Sequence, residues 1–348
     1  MNIEENVALA PVTTLQVGGA ARYFAEARRE DEVREAVEWA KMSNLSLFVL
    51  GGGSNIVVAD SGWPGLVLRI AIGGLTSEGA GNAVLLSAGA GVDWDEFVAQ
   101  TVAQNCAGVE CLSGIPGSVG GTPVQNVGAY GQEVADTIES VRALDMKNDR
   151  VVVLPRPACG FGYRSSIFNT AERGRYIILR VNFRMQRGSG PNLRYADLRE
   201  HFAQTKTAPT LTSVRQAVRE IRCRKGMLIV PGDGDCRSAG SFFKNPVLSN
   251  EQFQDLDARA RARGLDVPSY PALEAQRKVP AAWLVEHSGF AKGFRLGAAG
   301  ISSKHALAII NTGGAQASEI IRLKDAIQQG VGSTWGILLE PEPEFVGF

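Results

Sequence analysis

The chain has 348 residues, enough for two domains of ordinary size, and 45% of them are apolar, enough to bury real cores. Lysine plus arginine and aspartate plus glutamate stand equal at 36 each, so no bulk field favours nucleic acid or an anionic membrane. Five cysteines (Cys106, Cys111, Cys159, Cys223, Cys236) form no CxxC pair, which fits a reducing cytoplasm and leaves no paired zinc ligands; no metal is expected.

The N-terminus, MNIEENVALA, is acidic where a signal peptide needs cations, and no run approaches the roughly 18 apolar residues of a membrane span. ARYFAEA reads as a strand. Val33, Ala36, Val37 and Ala40 then fall at i, i+3, i+4 and i+7, which predicts a helix over Asp31 to Met42. LSLFVL (Leu45 to Leu50) is a buried strand running into GGGSN, and GLVLRI and AVLLSAGAGV follow as strands. Asp93 is placed as the N-cap of a helix to Gln104. SVRALDM, VVVLP and YIILRVNF continue the strand series. From Gln186 to Thr210 the rhythm is lost to Gly, Pro, Ser and Thr, marking a junction. Beyond it come a helix near Ser213 to Arg222, a polar helix around Asn250 to Arg263, a strand HALAIIN, a helix from Ser318 and a strand GILLE. No internal repeat is visible. The expected class is α+β in two domains.

Glycine is the compositional outlier, 40 of 348, against an average near roughly 7%. LFVLGGGSN (Leu47 to Asn55) is a strand followed by a glycine turn, able to cradle phosphate or simply to join two strands. Position 56 is Ile, so GxGxxG fails, and no GK[ST] follows. LSGIPGSVGGTPVQNVGAYGQEVAD (Leu112 to Asp136) holds six glycines and two prolines. Such a loop is costly to order, and its small residues let several N–H groups converge on an anion. YRSSIF carries Arg164, RCRK carries Lys225, and LEPEPEF sets Glu340, Glu342 and Glu344 two apart. Read singly, each is a solvated surface feature. SAGSFFKNP sets Ser241 before two adjacent phenylalanines. The three histidines, His201, His287 and His305, lie in the second half, and no GxSxG elbow supports a serine hydrolase.

Together, LGGGSN, GIPGSVGGTPVQNVGAYGQE, FGYRSSIF, GSFFKNP, SSKHALAIIN and LEPEPEF resemble, in order and across nearly the whole chain, the UDP-N-acetylenolpyruvoylglucosamine reductase (MurB) family of peptidoglycan synthesis. The resemblance implies a vanillyl-alcohol-oxidase (PCMH) type FAD-binding domain over residues 1–200, built of two α+β subdomains. A smaller α+β substrate-binding domain would follow over 201–348, with LEPEPEF returning to the active site. It implies noncovalent FAD, reduction by NADPH, and UDP-N-acetylglucosamine enolpyruvate as substrate, in a cytoplasmic monomer without nucleic-acid or membrane partners. The FAD loops map to Gly51, Gly52, Gly53, Ser54 and Asn55, and to Ile115, Pro116, Gly117, Ser118, Gly120, Gly121, Gln125, Asn126, Gly128, Ala129 and Tyr130. The catalytic set maps to Ser241, Arg164 and Glu342, and the substrate contacts to Tyr195, Lys225, Asn245 and His305. Two departures stand out: Ser165 follows Arg164 where the family often has Asp, and the segment from Lys225 to Ser241 is longer than in the best-known members.

Reducing an enol ether conjugated to a carboxylate adds hydride at the β-carbon, from flavin N5 by the resemblance, and a proton at the α-carbon. Arg164 can pair with the carboxylate as charge builds there. Glu342 suits that place only if protonated. Ser241 is a weak acid, but it faces a strongly basic carbon. The rivals are another flavin oxidase or dehydrogenase of the same superfamily, and a nonredox UDP-sugar binding protein. No histidine precedes His201, so a histidyl flavin link from the first domain is excluded.

Overall fold

The computed structural model describes all residues except 80, 204–206 and 273–274. The chain forms two compact units. The first comprises Met1–Val7, Ala21–Gly53 and Trp63–Leu228; the second comprises Ala8–Ala20, Ser54–Gly62 and Ile229–Phe348.

Two sheets dominate the described residues of the first unit. In the four-stranded one, Ala20–Ala27 and Leu47–Leu50 both run parallel to Trp63–Ile70. Helix α1 (Glu30–Met42) makes the crossover, and its buried stripe is Val33, Ala36, Val37 and Ala40, the four positions the spacing predicts. The larger sheet is antiparallel and centres on the long strand Tyr176–Arg187, flanked by Ala83–Gly89 and Ile138–Asp145. Helix α2 (Trp94–Ala103) starts where Asp93 accepts a hydrogen bond from the Glu96 N–H at 2.9 Å, as an N-cap should. The Trp94, Phe97 and Phe183 rings lock α2 onto the central strand, with Phe97 and Phe183 4.6 Å apart. Burying each of these rings stabilises the fold by roughly 1.5–3 kcal/mol. Trp94 also donates its indole N–H to the Leu112 carbonyl at 3.0 Å, which fixes the entrance of the glycine-rich loop. The short α3 (Ala196–Phe202) and α4 (Leu211–Arg224) follow. Leu198, Val214, Ala217, Val218 and Ile221 pack there around Cys111.

The second unit is built on α5 (Asn250–Arg261), α6 (Ala281–Glu286), α7 (Ala317–Trp335) and a three-stranded sheet that includes Ala299–Ile301 and Ile309–Asn311. Its core takes in Leu15, Val17 and Val57 from the N-terminal half, together with Phe242, Phe243, Leu339 and Trp335. The C-terminal strand Glu344–Val346 runs parallel to Ile56–Val58.

These units differ from a division at residue 200. Helices α3 and α4 bury their apolar faces against Cys111 and Tyr130, so the first unit extends to Leu228. Two strand readings are corrected. GILLE is not a strand: Ile337 and Leu339 are buried alternately, but among the described residues no neighbouring strand pairs with them. HALAIIN is a strand only from Ile309, because the Ser302 hydroxyl accepts from the N–H groups of Lys304 and His305 and makes a turn.

Candidate active site

In the first unit the two glycine clusters meet. The loop after Gly114 is pinned by backbone bonds on both sides: Val119 N–H to Val92 (2.9 Å), Gly120 N–H to Ala90 (2.8 Å) and Trp94 N–H to Gly117 (3.1 Å). Gly52 lies so close to it that an added Cβ would sit 2.5 Å from the Gly117 Cα, and one on Gly51 would sit 3.0 Å from Ser118 Oγ. The Ser118 hydroxyl is buried without a hydrogen-bond partner among the described residues. Backbone packed this tightly around an uncommitted donor fits the diphosphate of a dinucleotide cofactor such as FAD. Ile115, Pro116 and Gly117 are half-buried along the loop.

Other residues of the loop serve the loop itself. The Asn126 amide donates to Glu133 and to the Gly162 carbonyl, both at 2.9 Å, and accepts from Ala135 N–H at 3.1 Å. Its left-handed backbone (φ 46°) and near-complete burial belong to that role. Beneath the loop Glu110, also fully buried, accepts from Gln132 (2.9 Å) and from the backbone of Gly108 and Asn192 (both 2.8 Å).

Arg164 sits at the third position of the turn Gly162–Ser165, with φ 52°, where glycine or asparagine is preferred. Its guanidinium donates to the Gly128 carbonyl at 2.6 Å and lies 5.5 Å from the centre of the Tyr163 ring. An arginine held in left-handed conformation is a costly choice for a turn, and such outliers concentrate at functional sites.

Tyr130, Tyr195, Lys225 and Arg222 are gathered in the same unit. The two tyrosine rings meet edge to face at 5.2 Å, and Lys225 Nζ lies 2.6 Å from Asp197 Oδ2. Burial pushes the Tyr130 phenol up, partly countered by the charges of Arg222 and Lys225. Burial also works against the Lys225 ammonium, but Asp197 outweighs it and holds its pKa above the usual value. Arg222 was not among the sequence candidates. It is 9% exposed, donates to the carbonyls of Gly114 (3.1 Å) and Met227 (2.5 Å), and burial lowers its pKa. Its signal was present: Leu211, Val214 and Val218 set an apolar stripe that reaches position 222, and a cation there is anomalous.

In the second unit Ser241 and Glu342 come together. Phe242 N–H donates to Leu307 at 2.8 Å, Glu342 N–H donates to Phe242 at 2.9 Å, and Lys244 N–H donates to Glu340 at 2.9 Å. A bridge between Phe243 and Pro341 completes a short antiparallel pairing that sets the backbones of Ser241 and Glu342 on neighbouring segments. Both residues are half-buried. Phe242 (0% exposed) and Phe243 (2%) both enter the core, meeting edge to face at 5.6 Å, so the pair anchors Ser241 rather than lining open space. Asn55 belongs to this unit, and its amide donates to the Glu342 carbonyl at 3.2 Å. Lys244 is paired with Glu340 at 2.5 Å. The Asn245 amide oxygen accepts from the first N–H of α6 at 2.9 Å, and His305 Nδ1 accepts from Leu307 N–H at 3.0 Å. Among the described residues no group of three or more His, Cys, Asp or Glu could hold a metal, and no helix is long and apolar enough to cross a membrane.

Residues 21–154 match the model of an FAD binding domain, and residues 232–346 match that of the C-terminal domain of UDP-N-acetylenolpyruvoylglucosamine reductase. The chain is 44% identical over 350 residues to the reductase of Thermobifida fusca, covering 98% of this chain and 97% of that one. It is 42% identical over 345 residues to that of Streptomyces coelicolor, covering 97% and 89%. The crystal structure of the MurB reductase from Thermus caldophilus matches with a TM-score of 0.67 at 27% identity, over 99% of each chain. A matching fold, a cradle suited to a dinucleotide and relatives of this similarity over the full length agree: the chain belongs to the UDP-N-acetylenolpyruvoylglucosamine reductase family of FAD-dependent NADPH oxidoreductases.

Proposed function

We propose that the chain reduces the enolpyruvyl ether of UDP-N-acetylglucosamine to the lactyl ether of UDP-N-acetylmuramate in the cytoplasm, with NADPH as electron donor. The observation that carries this reading is the pairing of the Ser241 and Glu342 segments, which sets a hydroxyl donor and a carboxyl at neighbouring positions. FAD, when bound, supplies the hydride that adds to the β-carbon of the enol ether.

Ser241 gives the proton that adds to the α-carbon. A hydroxyl is a weak acid, but the carbon it serves is strongly basic, and placement counts for more than pKa. Its C-terminal side is anchored because both phenylalanines that follow are sunk in the core. Arg164 pairs with the substrate carboxylate as charge develops there, a task suited to a guanidinium whose charge does not titrate away. Glu342 serves the same oxygens as a hydrogen-bond donor in its protonated form, since an ionised carboxylate would repel them. Tyr195, Asn245 and His305 contact the substrate, and Lys225 meets its diphosphate or the nicotinamide nucleotide. Gly51 to Gly53 and Ile115 to Gly121 would hold the diphosphate of the bound cofactor, and the Ser118 hydroxyl would donate to it.

An anaerobic titration tests the reading. The yellow protein is expected to bleach with NADPH and to regain its colour when the enolpyruvyl nucleotide is added. Bleaching without recovery, or recovery with an unrelated alcohol or ketone instead, would overturn it.

A further inference from the structure

The segment that delivers Ser241 is not a regular strand. Ser238 bridges Ile310, and four residues later Phe242 bonds to Leu307. Ala239, Gly240 and Ser241 therefore lie opposite two residues, Ala308 and Ile309, and the surplus is taken up by Gly240 at φ 77°. Such a bulge re-aims the side chain that follows it, and its aim depends on how firmly both ends are held. The far end is held by Phe242, bonded on both sides to Leu307 and Glu342.

The near end is held from elsewhere. Thr14 donates its hydroxyl to the Ser238 carbonyl at 2.6 Å, and the same oxygen lies 3.4 Å from the Ser54 carbonyl of the glycine turn. Thr14 is itself fixed by Asn311, whose buried amide donates to the carbonyls of Leu15 (3.3 Å) and Gln16 (3.0 Å). Asn311 N–H also donates to the Arg237 carbonyl at 2.9 Å, one residue before Ser238.

We propose that Thr14 is a positioning residue for the proton donor: its hydroxyl clamps the near end of the bulge and so sets the approach of Ser241 to the substrate carbon. This rests on the reading of Ser241 given above. The Thr14 hydroxyl touches no reacting atom; it acts through the Ser238 carbonyl. Valine has the shape of threonine without the hydroxyl, so Thr14→Val removes the clamp alone, and Thr14→Ala repeats the test without the branched methyl groups.

The experiment compares wild type, Thr14→Val, Thr14→Ala, Thr14→Ser and Ser241→Ala by anaerobic stopped flow, reading flavin reduction by NADPH and its reoxidation by the enolpyruvyl nucleotide. Hydrogen exchange of the peptide spanning residues 238–242 is followed without substrate. Thr14→Val and Thr14→Ala are expected to slow reoxidation at least tenfold relative to reduction. They should also enlarge the solvent deuterium effect on reoxidation and speed amide exchange in the peptide, while Thr14→Ser restores all three. If Ser241→Ala stalls reoxidation but Thr14→Val keeps the wild-type ratio and exchange, the clamp is overturned and the role of Ser241 stands. If Ser241→Ala does not stall reoxidation, the role of Ser241 falls and the clamp with it.

Discussion

Gly52→Ala is the most direct probe of the cofactor cradle. The added Cβ would lie 2.5 Å from Gly117 Cα, 2.7 Å from Gly117 C and 2.8 Å from Ser118 N. Carbon atoms pack at about 3.5–4.0 Å, so the two loops must part by about 1 Å. All three atoms are backbone, and the Gly117 and Gly120 loop is bonded to Ala90, Val92 and Trp94, so no rotamer change relieves the clash. Overpacking of this kind costs about 1–3 kcal/mol. Gly52 is not in the left-handed region, so alanine returns about 0.4–1 kcal/mol through the unfolded state, leaving a net loss of up to about 2.6 kcal/mol. Gly121→Ala is the control, because its Cβ would meet only Ser118 Oγ at 3.9 Å. Urea unfolding of the flavin-free proteins, followed by circular dichroism, should give a lower midpoint for Gly52→Ala and an equal or slightly higher one than wild type for Gly121→Ala. Flavin fluorescence titration should show Gly52→Ala binding FAD at least about tenfold more weakly, a loss of about 1.4 kcal/mol. A Gly52→Ala protein with wild-type midpoint and affinity would refute the close approach of the two loops.

Asp95 tethers the loop entrance to α4, with Arg215 at 2.5 and 2.9 Å, Arg219 also paired to it, and the Gly114 N–H at 2.6 Å. Burial, which pushes its carboxyl up, is outweighed by Arg215 and the Gly114 N–H, so its pKa lies below the usual value. Its contribution is therefore present above the unfolded-state pKa near about 3.9 and is lost as pH falls through the lower folded value. Asp95→Asn should lose about 1.5–3 kcal/mol at neutral pH, measured by urea unfolding, and its stability should fall less steeply than wild type below about pH 4. Arg164→Gly should fold within about 1 kcal/mol of wild type, since glycine relieves the positive φ while a hydrogen bond to Gly128 is lost, yet slow reoxidation about 10²–10³-fold. Of the five cysteines, Cys223 is exposed and the others are buried, with burial pushing the Cys159 thiol up to about 11. Native protein should therefore react with one equivalent of a thiol reagent, and Cys223→Ser with none until it unfolds.

What the sequence disclosed follows the range of the interactions. The α1 stripe, the Asp93 cap and the central strand depend on neighbours a few residues away, and the structure agrees with each. The glycine clusters stood out because close backbone approach needs glycine wherever its partner lies. GILLE misled because alternate burial of Ile337 and Leu339 mimics a strand, whereas strand formation also requires a neighbour. The links from Thr14 to Ser238 and from Asn55 to Glu342 span 224 and 287 residues, and no local pattern announces them. The same blindness hid the contribution of Ala8–Ala20 and Ser54–Gly62 to the second unit. Arg222 is the intermediate case, legible as a cation on an apolar stripe but not in what it contacts.

The role of Ser241 is the centre of the account, and anaerobic stopped flow on Ser241→Ala tests it most directly. The side chain is half-buried at the end of a segment whose next two residues are fixed in the core, so its loss should leave the fold intact. Flavin reduction by NADPH is expected at close to the wild-type rate, with reoxidation by the enolpyruvyl nucleotide slowed at least about 100-fold. Equal slowing of both half-reactions, or reoxidation at the wild-type rate, would contradict it.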